Sequence, residues 1–435
     1  GQCLGRLGAT GNGQAGLLLN PEDLAISRAV RAAFGETPPR RIGIAVSGGG
    51  DSTALLLSLA RGFAGTGVTL HAATVDHGLR PEAAAEARAA AGQAADLGIS
   101  HDTLRWQGWD GAGNLQDQAR RARYALLSGW ARGQGIPTVA LGHTSDDRAE
   151  TVLMRLGRAA GVDGLAAMHR ERWVDGIRFL RPMLSLTRED LRAYLRRNGL
   201  TWSEDPSNKD EGYARIRARK ALTELENLGI TTSALNAVAD HMAEAREVLV
   251  EATRRAARDL AQVDAGDIVF DTGGLLALPR ETRRRLLVAA LMWIGGAHYP
   301  PRRAELSGLL DALSEGRKAT LAGCLLVPGG GQCRLMREFA AVQELTGDPS
   351  QPWDRRWHLE GPAVEGGEIR ALGAEGLAQC PGWRDTGRPR DTLLASPALW
   401  QGDRLVAAPL AGIGEGWQAR CESDQEGVFG ELLSH

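Results

Sequence analysis

Two groups of residues in this chain have the types and spacing to do chemistry. The first is Ser47-Gly48-Gly49-Gly50-Asp51-Ser52. It lies between an apolar run at residues 42–46 and a second apolar run, at helical spacing, that starts at Ala54. A buried strand, a tight glycine loop and a helix N-terminus in succession form an anion site, because free backbone N–H groups converge there and the helix dipole adds positive potential. The loop is not a Walker P-loop, which is longer and ends in Lys-Ser or Lys-Thr. An acid, Asp51, stands where that lysine would be. An acid beside phosphates repels them unless a cation bridges the two, which implies Mg²⁺ on Asp51. The plain alternative is a strand–turn–helix joint whose glycines only turn the chain.

The second group is Gly142-His143-Thr144-Ser145-Asp146-Asp147-Arg148-Ala149-Glu150-Thr151, which starts where a strand is expected to end. Asp147 and Glu150 are three apart on the helix that follows and share a face. Asp146 points elsewhere and reads as a helix cap. The paired carboxylates suit Mg²⁺, with Asp147 joining Asp51 as a ligand, or they suit an incoming amine. The alternative is that they only complement the helix dipole in its first turn. Two further sets are weaker. Arg120 and Arg123 share a helix face, either as a solvated basic surface or as forked donors for a transferring phosphoryl group. His77 and Arg80 fall in another strand-end loop, to touch a nucleotide or to face solvent.

The elements that must position these residues alternate. Strands are expected at residues 42–46, 68–75, 99–104, 138–141 and 177–179. Helices are expected at 21–34, from Ala54, and at 81–97, 114–130, 146–156 and 187–197. Such alternation predicts an α/β fold, a mainly parallel sheet with helices on both faces, whose ligands sit beyond the carboxyl ends of the strands. The loops after Val46, Val75 and Leu141 then share one rim. Asp205-Pro206-Ser207-Asn208 reads as a turn, and a basic run at Arg215, Arg217, Arg219 and Lys220 follows. Near Thr231 the pattern becomes that of a long amphipathic helix over 233–260. Helices at 281–294 and beyond Arg303 continue a mainly helical section, and short apolar runs after a linker at 346–352 suggest a small β-rich domain. The division expected is 1–225, 226–345 and 346–435.

With 435 residues, two or three domains are expected. A net charge of −2 means that any nucleic-acid partner meets a local basic surface, with Arg215–Lys220 and Arg283–Arg285 as candidates. The five cysteines form no C-x-x-C pair, which fits a reducing cytoplasm and argues against zinc. No run is long and apolar enough to span a bilayer and no secretory leader is apparent, so no membrane partner is expected. Gly11-Asn12-Gly13-Gln14-Ala15-Gly16 matches a dinucleotide fingerprint but follows no strand, and reads as a flexible leader.

The hexapeptide at 47–52 resembles the signature of the N-type ATP pyrophosphatases, the PP-loop proteins. The resemblance then narrows. Val75-Asp76-His77-Gly78-Leu79-Arg80, Ala119-Arg120-Arg121-Ala122-Arg123-Tyr124, the 143–151 segment, Gly161-Val162-Asp163-Gly164-Leu165, Arg181-Pro182-Met183-Leu184 and Asp205-Pro206-Ser207-Asn208 occur in the order seen in bacterial tRNA(Ile)-lysidine synthetases. The match covers about residues 41–219. The sequence departs from the family pattern at Arg148, where Gln is expected, and at Ala214, where Asn is usual. It also lacks a Leu-Leu-Pro within 220–230.

This resemblance implies ATP and Mg²⁺ as cofactors, with tRNA(Ile) bearing a CAU anticodon and free L-lysine as partners, in the cytoplasm, with a homodimer left open. It implies adenylation of the wobble cytidine at C2 and then capture by lysine. Ser47, Gly48, Gly49, Gly50, Asp51 and Ser52 would hold the phosphates, with His77 and Arg80 near the nucleotide. Arg120 or Arg123 would act at the α-phosphate, Asp147 and Glu150 would hold the amine and accept its proton, and His143 would position the base or phosphate. Three rivals compete. A tRNA thiolase would need cysteines near the loop, and there are none between Cys3 and Cys324. A glutamine-dependent amide ligase would need a glutaminase segment. A non-catalytic nucleotide-binding regulator would not need the rim acids and arginines.

Overall fold

The computed structural model describes residues 20–78, 83–106, 115–203, 214–297, 299–421 and 429. The leader at 1–19, Arg80 and the turn at 205–208 lie outside the described residues. The chain divides into two compact units, Gly1–Glu244 and Ala245–His435.

The first unit is built on a six-stranded sheet. Its elements run α1 (Pro21–Ala32), β1 (Arg41–Ala45), α2 (Gly50–Gly62), β2 (Thr69–Asp76), α3 (Ala83–Asp96), β3 (Ser100–Arg105), α4 (Leu115–Gly133), β4 (Thr138–Leu141), α5 (Ser145–Leu156), α6 (Val162–Leu165), β5 (Glu171–Val174), β6 (Ile177–Leu180), α7 (Arg188–Arg197) and α8 (Ala214–Leu225), with α9 (Thr232–Leu260) starting in this unit. Strand order is β3-β2-β1-β4-β6-β5. All neighbours pair in parallel except β5, which folds back on β6 as an antiparallel edge. The alternating pattern foreshadowed this sheet. It did not reveal β5, because Glu-Arg-Trp-Val is short and mostly exposed.

Helices cover both faces, as a parallel sheet requires. One face packs α1, α2, α3 and α7 against Ile42, Ile44 and Leu180, with Leu55, Leu56 and Leu59 of α2 fully buried. The other packs α4 through Tyr124, Leu127 and Ala131 against Val139 and Phe179. Gly43 is required here, since a Cβ would lie 2.9 Å from the Trp130 ring. The unusual Arg148 is explained by Asp240 of α9, which accepts its Nη2–H at 2.6 Å. Among the described residues no helix is long and apolar enough to cross a membrane.

The second unit holds α10 (Thr272–Ala277), which the helical pattern did not predict, and α11 (Arg280–Gly295) and α12 (Arg303–Ser314), which it did. It also holds a sheet the pattern did not predict: β7 (Ala261–Asp264), β8 (Asp267–Asp271), β9 (Ala319–Leu321), β10 (Cys324–Gly329) and β11 (Gln332–Arg337), in antiparallel order β7-β8-β11-β10-β9. These strands are three to six residues long and lie between strong helical stripes, so their period of two was hard to see. Phe270 and Leu335 pack with Leu286, Leu291 and Ile294 of α11 into one core. A second core, around Trp353 and Trp400, lies in the β-rich segment from β12 (Thr346–Gly347) through β13 (Trp357–Glu360), β14 (Glu368–Ala371), β15 (Pro397–Gln401), β16 (Arg404–Ala407) and β17 (Gln418–Cys421). The run Arg283–Arg285, read as a candidate phosphate contact, is partly engaged internally. Arg284 and Arg285 bind Glu281 at 2.6 and 3.1 Å, and Arg283 donates to the Leu276 carbonyl at 2.8 Å.

Asp267 is a buried acid within this unit, 3% exposed. Its Oδ2 accepts from the Thr392 hydroxyl at 2.5 Å and from Arg334 Nη1 at 3.0 Å. Burial pushes its pKa up to about 6, and those two hydrogen bonds offset only part of the shift. Arg334 is less buried, and its acidic partners raise its own pKa, so the same pair favours the cation more than the anion. The folded pKa of Asp267 lies above the unfolded value of about 3.9. Its contribution to stability is therefore full below about pH 4 and is lost as pH rises through about 6. We predict that Asp267→Asn removes this component, so that thermal stability followed from pH 4 to 7 declines less steeply than in the wild type. Parallel pH profiles for the two proteins would exclude it.

Candidate active site

The glycine loop leaves β1 and enters α2 directly. Gly48 sits at φ +81°, in the left-handed region that glycine alone adopts without strain. The Ser203 N–H donates to the Gly48 carbonyl at 3.0 Å and pins the loop from outside. Inside it, the Ser52 hydroxyl donates to the Gly49 carbonyl at 2.9 Å and accepts the Ser47 N–H at 3.1 Å. Among the described residues no side chain caps α2 at Gly49. Its first-turn N–H groups are thus left to a ligand's oxygens, the arrangement that binds phosphate. The loop after β4 packs on this backbone, since a Cβ on Gly142 would meet the Ser52 Cα at 3.1 Å. That close approach brings the 143–151 segment beside Asp51.

Thr144 caps α5 in a capping box: its hydroxyl accepts the Asp147 N–H at 3.3 Å, and Asp147 Oδ2 accepts the Thr144 N–H at 2.9 Å. Asp146, expected as the cap, instead accepts the backbone N–H of Arg188 at 2.9 Å. Arg188, the first residue of α7, is the centre of the site. Its Nη1 donates to Glu150 at 2.6 Å, its Nη2 to Asp147 Oδ1, and its Nε lies 3.5 Å from Asp51 Oδ2. Asp51, Asp147 and Glu150 therefore converge on one guanidinium. Glu150, 1% exposed, also meets Arg215 at 3.2 Å and Arg219 at 2.9 Å. Two arginines assigned from sequence to nucleic acid thus face this acid.

The fields are uneven. Burial, and then the like charge of Asp147, pushes the Asp51 carboxyl up to about 6 in spite of Arg188. Burial also acts upward on Asp147, but Arg188, Arg215 and the Thr144 N–H together hold it below the usual carboxylate range. Arg188 loses solvent by burial, yet its bond to Glu150 and the nearby acids raise its pKa, so it remains a cation. His143 is pushed well below its ordinary value by burial and then by Arg181, against the pull of Asp147. It is a neutral imidazole, and its buried Nδ1 has no partner among the described residues.

On the other flank, Arg120 and Arg123 of α4 are neighbours, as their spacing predicted, whereas Arg121 turns aside to Asp117 at 2.6 Å. His77, at the end of β2, is half-buried edge-on to Trp106 at 5.7 Å, and its pKa is lowered by burial and then by Arg123. Arg80 lies outside the described residues. Arg188 was missed from sequence because Thr187-Arg188-Glu189-Asp190 reads only as a helix start. No spacing rule links it to residues 51, 147 or 150.

The acids suit a cation held jointly with a ligand. Asp51 bears a charge penalty that its neighbouring arginines offset only in part, and Arg188 Nε stands 3.5 Å away. Mg²⁺ fits such a carboxylate, since it is bound by one or two carboxylates plus phosphate oxygens. Asp147 is less free, with Oδ1 on Arg188 and Oδ2 on Thr144. Among the described residues no group of three or more His, Cys, Asp or Glu could enclose a metal without such a ligand.

A PP-loop domain family model matches residues 23–226. The tRNA(Ile)-lysidine synthase of Ruegeria pomeroyi is 54% identical over 406 residues, covering 93% of this chain and 97% of that protein. Proteins of the same name from Wolbachia pipientis wMel and Rhodopseudomonas palustris are 35% and 40% identical, covering 73% and 70% of this chain and 76% and 88% of their own lengths.

Removing one member of a buried ion cluster leaves uncompensated charge, at a cost of about 3–5 kcal/mol. Arg188→Ala is therefore expected to lower stability by about 3 kcal/mol in chemical denaturation, since Arg215 and Arg219 still serve Glu150. Arg188→Lys should lose less. A loss below about 1 kcal/mol for the alanine variant would mean that the guanidinium does not hold the cluster together.

Proposed function

The chain belongs to the tRNA(Ile)-lysidine synthase family of PP-loop proteins, and we propose how its residues divide the work of that reaction. The enzyme is an ATP-dependent ligase that forms a C–N bond. The C2 oxygen of the wobble cytidine attacks the α-phosphate of ATP, a C–O–P linkage forms and pyrophosphate leaves. The ε-amine of lysine then attacks C2, AMP leaves with the oxygen, and lysidine remains. The observation that carries this assignment of roles is the convergence of Asp51, Asp147 and Glu150 on one cation beside an uncapped phosphate loop.

In the first step, the loop from Ser47 to Ser52 holds the phosphates through its N–H groups at 48–52, with Asp51 positioned for Mg²⁺, which would supply charge neutralisation. Arg123, with Arg120 beside it, offsets charge that develops at the α-phosphate. His77 lies within the field of Arg123 and orients the nucleotide from the β2 side. His143, neutral and with Nδ1 unpartnered, offers a hydrogen bond to base or phosphate without adding charge.

In the second step, lysine arrives as an ammonium, with a pKa of about 10.4. It must shed a proton to attack. Asp147 and Glu150 are the acceptors, and the ammonium competes with Arg188 for the same oxygens. Asp147 released from Arg188 loses the largest of the interactions that hold its pKa down, and becomes a better proton acceptor. Asp147 reaches Mg²⁺ only by the same release. Residues 1–225 carry this chemistry in the cytoplasm, while 226–345 and 346–435 grip the tRNA.

The direct test supplies ATP, labelled lysine and isoleucine tRNA with a CAU anticodon, and expects label in the RNA. Asp51→Ala should abolish tRNA-dependent pyrophosphate release. Glu150→Gln should reduce lysine transfer far more than pyrophosphate release. Equal losses in both steps would remove Glu150 from the amine site.

A further inference from the structure

Beyond His143, on the β4–β6 side of the rim, the charge changes sign. Tyr124 of α4 is buried edge-on to Phe179 of β6, with ring centroids 4.9 Å apart. Arg120 and Arg172 hold their guanidinium groups 5.4 and 5.2 Å from the Tyr124 ring centroid. Arg181, 4% exposed, donates Nη2 to the Tyr124 hydroxyl at 3.3 Å and Nη1 to the His169 carbonyl at 2.6 Å. Its Nε is buried with no partner among the described residues. Arg155 donates to the carbonyls of Gly164 and Ala167 at 2.6 and 3.1 Å, and it joins the cluster through Arg120, whose charge it feels.

These partners are all neutral. Among the described residues, no carboxylate lies within ion-pair distance of Arg120, Arg123, Arg155, Arg172 or Arg181. The acidic centre nearby is different, because there Arg188, Arg215 and Arg219 face Asp51, Asp147 and Glu150. Partly buried guanidinium groups crowded around a phenol repel one another, and burial with neighbouring arginines lowers the pKa of both Arg123 and Arg181. An anion relieves that repulsion, and forked donors match phosphate oxygens.

The phosphates of ATP already have a seat. The glycine loop follows β1, and β6 lies two strands away in the order β1-β4-β6. That is about 10 Å at roughly 4.8 Å per strand. The cluster also reaches the edge strand β5, where Arg172 is exposed. We propose that Arg155 and Arg172, set around Arg181 and Tyr124, form a second phosphate site that takes a backbone phosphate of the RNA strand beside the nucleotide being modified. This rests on the functional reading above. It adds a grip on the catalytic unit itself, separate from the loop that holds ATP.

Each phosphate contact contributes about 0.7–0.9 to the slope of log K against log salt. The test measures binding of isoleucine tRNA by Arg172→Gln across a salt series, with ATP binding by equilibrium dialysis in parallel. The slope should become shallower by about 0.7–0.9 with ATP affinity unchanged, and Arg172→Lys should restore most of it. Arg155→Gln gives an independent second reading, with thermal melting used to confirm that each variant is folded. An unchanged tRNA slope in the folded variants overturns the proposal. A fall in ATP affinity with the tRNA slope intact also overturns it, by assigning the cluster to the nucleotide's own phosphates. Labelled-lysine incorporation by the wild type is read on the same preparation. Its absence would count against the functional reading, while the salt slopes would still decide for or against the phosphate site.

Discussion

Three carboxylates gathered at one sheet rim repel each other, and the site depends on the cation that lets them stay. Arg188 supplies it, meeting Glu150, Asp147 and Asp51 with different nitrogens of one guanidinium. The neutralisation is incomplete. Asp147 is held below the normal carboxylate range while Asp51 is pushed above it, because burial and then the charge of Asp147 act on Asp51 and the arginine, farther away, offsets only part of them. The residual demand for positive charge at Asp51 lies beside the phosphate loop. The pair that an ammonium could contest lies one step further, on α5.

The rim is therefore divided by charge. On one side are acids matched by arginines, and on the other are arginines offset by little more than a phenol and carbonyls. His143 stands between, kept neutral by burial and by Arg181. A cation at His143 would blur that division, and an anion cannot form there. In the proposed reaction an ammonium and phosphates are held within a few residues of each other, and such a boundary keeps each group with its own partner.

The scaffold meets this demand through its strand order. The loops that follow β1 and β4, the two central strands, abut directly, with Gly142 against Ser52 leaving no room for a side chain. Arg188 starts α7, which packs on α2 across the same face, so its guanidinium reaches the other two segments. Arg148 ties α5 to α9 through Asp240, and Asn236 donates to the Ser145 carbonyl at 3.1 Å. The helix that carries Asp147 and Glu150 is thereby held at its first turns.

Much of this was legible in the chain itself. The glycine loop, the alternation of strands and helices, and the three-residue spacing of Asp147 and Glu150 depend on neighbours in sequence, where backbone geometry and hydrophobic period act directly. Motif order sufficed to identify the family and its reaction. The five-stranded sheet of the second unit and the edge strand β5 escaped because short strands carry little periodic signal. Arg188, Arg215 and Arg219 escaped for another reason. Residue type alone cannot tell an arginine that faces RNA from one that neutralises Glu150, and that choice is made only when α5, α7 and α8 pack together. Local chemistry was written in the sequence, and the pairing of charges between distant segments was decided by the fold, because an ion pair depends on distance through space and not along the chain.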